Sequence, residues 1–236
     1  MAEGRVIVTG ASKGLGAATA TALDAAGYEV IGLSRTGVSP VGRGMVCDMT
    51  DEAAVKAAFA GLGSEPEPVV GLVNNAGAHG QSVSAEIAVA DYERVMTLNA
   101  TAVVVASREA HALLKRSGGG LIVNMGSVFD KLGVREHVAY CASKAAVGAI
   151  TRCLAVEWAE DGISVVNVAP GYIETDFNRE FMQRDSVKRW LERRIPAGRT
   201  GTPEEVGSLV AALFAMRMPY LTGETIYLDG GHGVNH

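Results

Sequence analysis

The chain has 236 residues, 48% hydrophobic and 20% charged, which suits one sizeable core and leaves little room for several domains. Its net charge of −5 arises from 21 basic and 26 acidic side chains scattered along the sequence, so no basic stripe offers a nucleic-acid surface. Cys47, Cys141 and Cys153 form no C-x-x-C pair and fit reduced thiols in a cytoplasmic protein better than a disulfide framework.

The first strand-like run, Arg5–Thr9, starts almost at the N-terminus, which argues against a secretory signal. It leads through Thr9-Gly-Ala-Ser-Lys-Gly-Leu-Gly16 into an Ala-rich helical pattern, Leu15–Ala26. A glycine turn between strand and helix lets the backbone come close to a pyrophosphate, and the helix start offers free N–H groups and partial positive charge. Gly10, Ser12, Lys13, Gly14, Leu15 and Gly16 are therefore candidate dinucleotide contacts. The spacing is G-x-x-x-G-x-G rather than G-x-G-x-x-G, and a tight turn without a ligand is the plainer alternative. The second run, Glu29–Leu33, ends in Ser34-Arg-Thr36, where an NAD-selective site normally carries a carboxylate for the ribose 2′-hydroxyl. Arg35, with Lys13, instead offers positive charge where a 2′-phosphate would sit. The pair favours NADP(H), with NAD(H) left open and a solvated Arg35 as the alternative.

Further strand-like runs follow at Met45–Cys47, Val69–Val73, Leu121–Met125, Ser164–Val168 and Thr225–Leu228. Helical patterns separate them at Glu52–Leu62, Tyr92–Lys115, Val138–Glu160 and Pro203–Met216. Fully apolar runs alternating with helices describe βαβ units, so the expected fold is an α/β three-layer sandwich around a seven-stranded, mainly parallel sheet. Thr50-Asp51-Glu52 and Thr202-Pro-Glu-Glu205 carry helix-start signals. No repeat or composition break divides the chain, so residues 1–236 are expected to form one domain. Apolar stretches such as Ala100–Ala106 and Val206–Met216 are too short or interrupted to span a bilayer. The polar segment 174–197 is expected to be a flap over a site, with a solvated connection as the alternative.

Tyr140 and Lys144 stand four residues apart in a helical pattern and so share a face. A phenol beside a fixed ammonium ionises more easily, and Ser127 could hold a substrate oxygen against it. That is equipment for general acid/base work on a carbonyl or an alcohol. Taken alone, Tyr-x-x-x-Lys is a weak signal whose bland reading is a helix with an exposed lysine. Cys141 beside Tyr140 reads as a small buried hydrophobe rather than a nucleophile.

Together, Thr9-Gly-Ala-Ser-Lys-Gly-Leu-Gly16, Asn74-Asn-Ala-Gly77, Asn99, Ser127, Tyr140-x-x-x-Lys144 and Pro170-Gly171 resemble the short-chain dehydrogenase/reductase family, over essentially the whole chain. Ile173-Glu-Thr-Asp176, Ile195-Pro-Ala-Gly-Arg199 and Leu221-Thr-Gly-Glu224 look most like bacterial 3-oxoacyl-carrier-protein reductases, although relatives acting on sugars, polyols and small ketones share them. The resemblance implies a Rossmann-type fold and an oxidoreductase interconverting a ketone and a secondary alcohol. It makes Tyr140 the acid/base, Lys144 the group that lowers the phenol pKa and binds the nicotinamide ribose, Ser127 the substrate-oxygen ligand, and Asn99 the holder of a relay water. Asp48 and Met49 would contact the adenine. The backbone of Asn75, Ala76 and Gly77 would run along the cofactor, and Pro170, Gly171, Ile173 and Thr175 would border the nicotinamide. A homotetramer, or a homodimer, and a small-molecule substrate are implied, with no metal.

Ser117-Gly-Gly-Gly120 and Glu160-Asp-Gly162 lack the basic residues that would grip an acidic carrier protein. His79, Phe129, Lys131, Arg135, His137, Tyr172 and Glu174 are the substrate-facing candidates, a polar set. Arg135 or Lys131 could bind a carboxylate or phosphate, or be solvated loop charges; His137 is either a second acid or a polar wall. The alternatives are a polyol- or sugar-type dehydrogenase using NAD(H) and a non-catalytic nucleotide-binding regulator. The latter usually lacks the Tyr, Lys or Ser that are all present here.

Overall fold

In the computed structural model, which describes residues 4–175 and 178–235, seven strands form one sheet. They are β1 (Arg5–Thr9), β2 (Glu29–Ser34), β3 (Arg43–Val46), β4 (Val69–Asn74), β5 (Gly120–Met125), β6 (Ile163–Pro170) and β7 (Thr225–Leu228). Their order is β3-β2-β1-β4-β5-β6-β7, and every neighbouring pair is parallel. The helices are α1 (Gly14–Ala25), α2 (Glu52–Gly63), α3 (Val89–Met96), α4 (Ala102–Arg116), α5 (Val138–Trp158), α6 (Arg179–Met182), α7 (Asp185–Arg194) and α8 (Pro203–Met216).

Both faces of the inner strands are covered, which is why those strands read as mostly apolar runs, whereas the edge strands β3 and β7 stay partly exposed. Ile7, Ile31, Leu33, Leu72, Ile122 and Val165 pack with α2, α4 and α5. Their alternating neighbours, including Val6, Val8, Val30, Val73, Val123 and Val166, pack with α1 and α8. The three-layer expectation holds, and the chain order reverses between β1 and β4, where open parallel sheets leave a crevice for a ligand.

A polar ladder crosses this apolar interior. Asn74, Asn124 and Asn167 pair in register on β4, β5 and β6, all buried. Asn74 donates to Asn124 Oδ1 at 2.8 Å and to Ser107 Oγ on α4 at 2.9 Å. Asn124 in turn donates to Thr151 Oγ1 on α5 at 2.9 Å. Leaving such an amide unpaired costs about 1–3 kcal/mol, so these bonds set the height of α4 and α5 against the strand ends.

Two expected elements are corrected. The helix expected over Tyr92–Lys115 is broken into α3, a π turn at Thr97–Thr101 and α4. At this turn Asn99 accepts from Ala78 N at 2.7 Å and donates to Ala78 O at 2.9 Å, binding the helix to the loop after β4. β3 pairs from Arg43 to Val46, because β2 dictates the register, and Cys47 is left to turn into the crevice. The 174–197 segment contains α6 and α7, which bury Met182, Leu191 and Ile195 beside Tyr172; its residues 176 and 177 lie outside the described residues.

Candidate active site

The glycine loop is shaped by close approach. A Cβ on Gly16 would stand 2.2 Å from the Gly10 carbonyl oxygen. Gly10, at φ 68°, would bring one within 2.9 Å of Ala76 Cα. The tips of β1 and β4 are also tied together: Thr9 Oγ1 accepts from Asn75 N and Ala76 N, both at 3.0 Å, and Asn75 Nδ2 donates to Thr9 O at 3.0 Å. The Asn75 side chain is therefore spent on the scaffold, and what it presents outward is backbone.

The start of α1 lacks the caps that close α2 and α8. α2 is capped by Asp51, which accepts from Ala53 N and Ala54 N, and α8 by a capping box between Thr202 and Glu205. α1 has no side-chain cap and no acid in its first turn. Its N–H groups remain available to an anion.

Beside this loop lies a cavity of about 670 Å³, lined by Gly10, Ser12, Lys13, Gly14 and Leu15, by Arg35, by Asp48 and Met49, by Asn75, Ala76 and Gly77, and by Thr175. That volume is in the ordinary range for a small-molecule or cofactor pocket. Arg35 and Lys13 are exposed, and their side chains make no hydrogen bond among the described residues. Asp48 is held below the usual carboxylate pKa by the backbone and hydroxyl of Thr50, and further by the Arg35 guanidinium. An uncapped helix start, a glycine cradle that a Cβ would fill and an unbonded guanidinium fit a phosphorylated dinucleotide. Pro170 ends β6 and Gly171 and Ile173 follow it, and none of the three is among the residues that line the cavity. Ile173 is buried and bridges Gly201, and a Cβ on Gly171 would meet Asp229.

The inner end of the cavity is Gly77, where a Cβ would stand 3.2 Å from Asn99 Oδ1 and 3.8 Å from Lys144 Nζ. Past it, the four expected catalytic side chains converge. Ser127 follows β5, buried, with its Oγ accepting from Phe129 N at 3.2 Å. Tyr140 and Lys144 project from the first two turns of α5. Lys144 is buried and donates to Met125 O, the last carbonyl of β5, at 2.7 Å. Burial pulls its pKa from 10.5 to about 8.

For Tyr140, desolvation is the larger effect and pushes the phenol up, while a hydrogen bond with Ser127 pulls it down. The direction is opposite to the one the Tyr–Lys pairing suggests, because desolvation outweighs the bond to Ser127 while the Lys144 ammonium is bonded to Met125 O. Asn99 also donates to Ser143 Oγ at 3.0 Å. Both its amide protons are thereby used, so a water held here has to donate to an Asn99 oxygen.

An aromatic wall faces the phenol. His79 lies 4.7 Å from the Tyr140 ring and 4.7 Å from His137. Phe129 lies 5.9 Å from Tyr140 and 5.8 Å from Tyr172, which meets Trp190 of α7 edge-on at 5.8 Å. Glu136, a non-glycine residue at φ 65°, sets the angle of His137 and is braced by bonds from Gln81 and Ser82. Two of the expected pocket charges are engaged elsewhere. Lys131 lies over the Tyr227 ring, 3.5 Å from its centroid. Glu174 accepts from Arg179 and Gln183, each at 3.3 Å. Arg135 is exposed.

Sequence reasoning missed Cys47, Thr50, Arg94 and Leu98, which also line the cavity. Thr50 and Leu98 adjoin Met49 and Asn99, a proximity that could have signalled them. It also missed Trp190 and His232 beside Tyr172, for which no local pattern exists.

A family model described as "Enoyl-(Acyl carrier protein) reductase" matches residues 10–233. The 3-oxoacyl-[acyl-carrier-protein] reductase MabA of Mycobacterium bovis is 34% identical over 232 residues, 98% of this chain and 93% of the relative. The FabG reductase of the same description from Vibrio cholerae is 34% identical over 239 residues, covering 97% of each. A gluconate 5-dehydrogenase from Burkholderia cenocepacia, solved with NADP and tartrate, superposes with a TM-score of 0.93 at 27% identity, covering 100% of this chain and 97% of that one. On the glycine cradle, the Ser127–Tyr140–Lys144 constellation and these likenesses, the chain belongs to the short-chain dehydrogenase/reductase family of oxidoreductases.

Proposed function

We propose that this protein is an NADP(H)-dependent enzyme interconverting a ketone and a secondary alcohol, with Tyr140 as acid/base. The observation that carries the reading is the convergence of Ser127, Tyr140, Lys144 and Asn99 at the inner end of a glycine-cradled cleft. Bound there, the nicotinamide supplies or accepts a hydride. Ser127 holds the substrate oxygen. Tyr140, its phenol raised by burial, keeps its proton at neutral pH and gives it to that oxygen as the carbonyl is reduced. Lys144 is fixed to Met125 O and has further N–H donors for a ribose. Arg35 and Lys13 take the 2′-phosphate.

The relatives' names divide between acyl-carrier reductases and a sugar-acid dehydrogenase. The polar wall of His79, His137 and Tyr172 favours a polar ketone over an acyl chain. Among the described residues no helix is long and apolar enough to cross a membrane, and we read the enzyme as cytoplasmic. Val104 on α4 and Val156 on α5 are 41% and 81% exposed, which suits these two helices to the core of a homotetramer. The direct test is to follow nicotinamide absorbance with a panel of ketones and alcohols and each cofactor. Turnover of no ketone or alcohol, with NADPH or NADH, would refute the reading.

Lys144 provides a pH signature. Its ammonium is intact below about pH 8 and lost above it. NADPH affinity is expected to be level below pH 8 and to fall by at most about tenfold per pH unit above it. A fluorescence titration should show this slope in the natural protein and none in Lys144→Met; an equal slope in both would remove Lys144 from cofactor binding. The effect on stability has the opposite sign. The unfolded lysine keeps its proton up to about 10.5, so this group adds stability as pH rises from about 8 to 10.5.

A further inference from the structure

Ser127 sits at the head of a turn that is too short to hold itself. It opens a single 3-10 turn, Val128–Asp130, closed by Asp130 N donating to Ser127 O at 3.0 Å and Lys131 N to Val128 O at 3.4 Å. Bonds of this kind are poorly aligned, and an isolated turn of them is marginal. The aim of the serine hydroxyl depends on it. Phe129 N, inside the turn, donates to Ser127 Oγ at 3.2 Å, which fixes that oxygen and leaves its proton to be given to another acceptor. A turn that opened at its far end would withdraw Phe129 N and free Oγ to rotate.

That far end is fastened to the sheet. Tyr227 Oη donates to the Asp130 carboxylate, lying 3.0 Å from both oxygens, across 97 residues of chain. Tyr227 stands on β7 opposite Ala169 of β6, so its place is set by the strand ladder and not by the turn. Burial pushes the Asp130 carboxyl up, and the Tyr227 bond is the largest influence drawing it back down. The next residue grips the same ring: Lys131 Nζ lies 3.5 Å from its centroid. Against Lys131 lies Gly233, where a Cβ would strike Lys131 Cε and Asp229 Oδ2. Two consecutive residues at the end of the turn thus hold the hydroxyl and the face of one tyrosine.

We propose that Asp130 and Tyr227 are positioning residues: their bond holds the Ser127 turn closed and so aims Ser127 Oγ at the substrate oxygen, acting on the reaction from outside the pocket. The inference rests on the ketone–alcohol reading above. Neither residue lines the cofactor cavity, so NADPH binding does not depend on the bond. Hydride transfer does, because a reacting group displaced by about 1 Å can cost up to about 10²-fold. The competing view is a surface bond that adds only stability. It would shift the melting temperature and leave the aim of Ser127 untouched.

The test follows NADPH oxidation with diacetyl, acetoacetate and acetoacetyl-coenzyme A, and carries forward the ketone reduced fastest. Tyr227→Phe deletes one hydroxyl on a residue 37% exposed and keeps the ring under Lys131. Its kcat is expected to fall about tenfold, with NADPH affinity within about twofold. Asp130→Ala should match it, and the combined variant should be no worse than either, since all three lose the same bond. Asp130→Asn keeps an acceptor oxygen and should retain at least about a third of the natural kcat. In Ser127→Ala, adding Tyr227→Phe should cost less than about twofold. Three results would each overturn the positioning role and leave the ketone–alcohol reading intact. They are an unchanged kcat in Tyr227→Phe, an Asp130→Asn loss as large as that of Asp130→Ala, and an about tenfold loss that persists without the Ser127 hydroxyl. Should Asp130→Ala fail to fold, Tyr227→Phe in the two backgrounds decides alone. Failure to reduce any ketone while NADPH binds would overturn both.

Discussion

Tyr140→Phe is expected to lower kcat/KM by about 10³-fold and to leave NADPH affinity within about twofold. The substitution deletes one oxygen. The ring stays, packed 4.7 Å from His79 and 5.9 Å from Phe129, so the cleft keeps its shape. General acid/base groups contribute about 10²–10⁴-fold, and the middle of that range is expected for a phenol that holds its proton at neutral pH. Thermal stability should be unchanged or slightly higher, since a desolvated hydroxyl is removed. Steady-state kinetics beside a fluorescence titration of NADPH separates the effects. Turnover within about tenfold of the natural enzyme would mean that the proton comes from another group, of which His79 is the nearest imidazole.

Arg35→Ala is expected to weaken NADPH by about 10- to 100-fold and NADH by about twofold or less. A charge-assisted bond to phosphate is worth about 1.5–3 kcal/mol, and exposure at the cavity rim places this one in the lower half of that range. Arg35 also offsets the neighbouring Asp48 carboxylate, whose pKa it lowers. Its loss leaves a bare negative charge facing the 2′-phosphate and so adds repulsion to the lost bond. The measurement is the ratio of kcat/KM for the two cofactors. A ratio that does not move would show that Arg35 is a solvated surface residue and that the phosphate, if it is read at all, is read by Lys13 or backbone.

Much of the fold was legible because its signals are local. A strand buried on both faces reads as a mostly apolar run, and β1, buried throughout, has the bounds read from that run, as does the partly exposed edge strand Thr225–Leu228. Thr202-Pro-Glu-Glu205 announced the start of α8 because a capping box is a four-residue interaction. The Tyr140/Lys144 face needs only helical periodicity, and the Ser127 position only the end of a strand. The same reasoning failed wherever a distant partner decides. Asn99 was singled out, but in an unbroken helix; the bond from Ala78 to its amide, and the π turn that goes with it, come from a distant loop.

Lys131 shows the same limit. Beside Phe129 in the sequence it looks like a pocket charge, yet β7 brings Tyr227 under it and holds it outside. The direction of the Tyr140 shift was also beyond sequence, since desolvation sets it while Lys144 is bonded to Met125 O at the end of β5. By itself, then, the amino-acid order determined the layered parallel sheet, the phosphate-ready glycine turn and the candidate reacting side chains, all signalled by neighbours within a few residues. The tertiary structure alone decided which charges face the pocket, and it carried His232, near the far end of the chain, to Tyr172. Burial and electrostatic surroundings are properties of the assembled layers, and no short stretch of chain contains them.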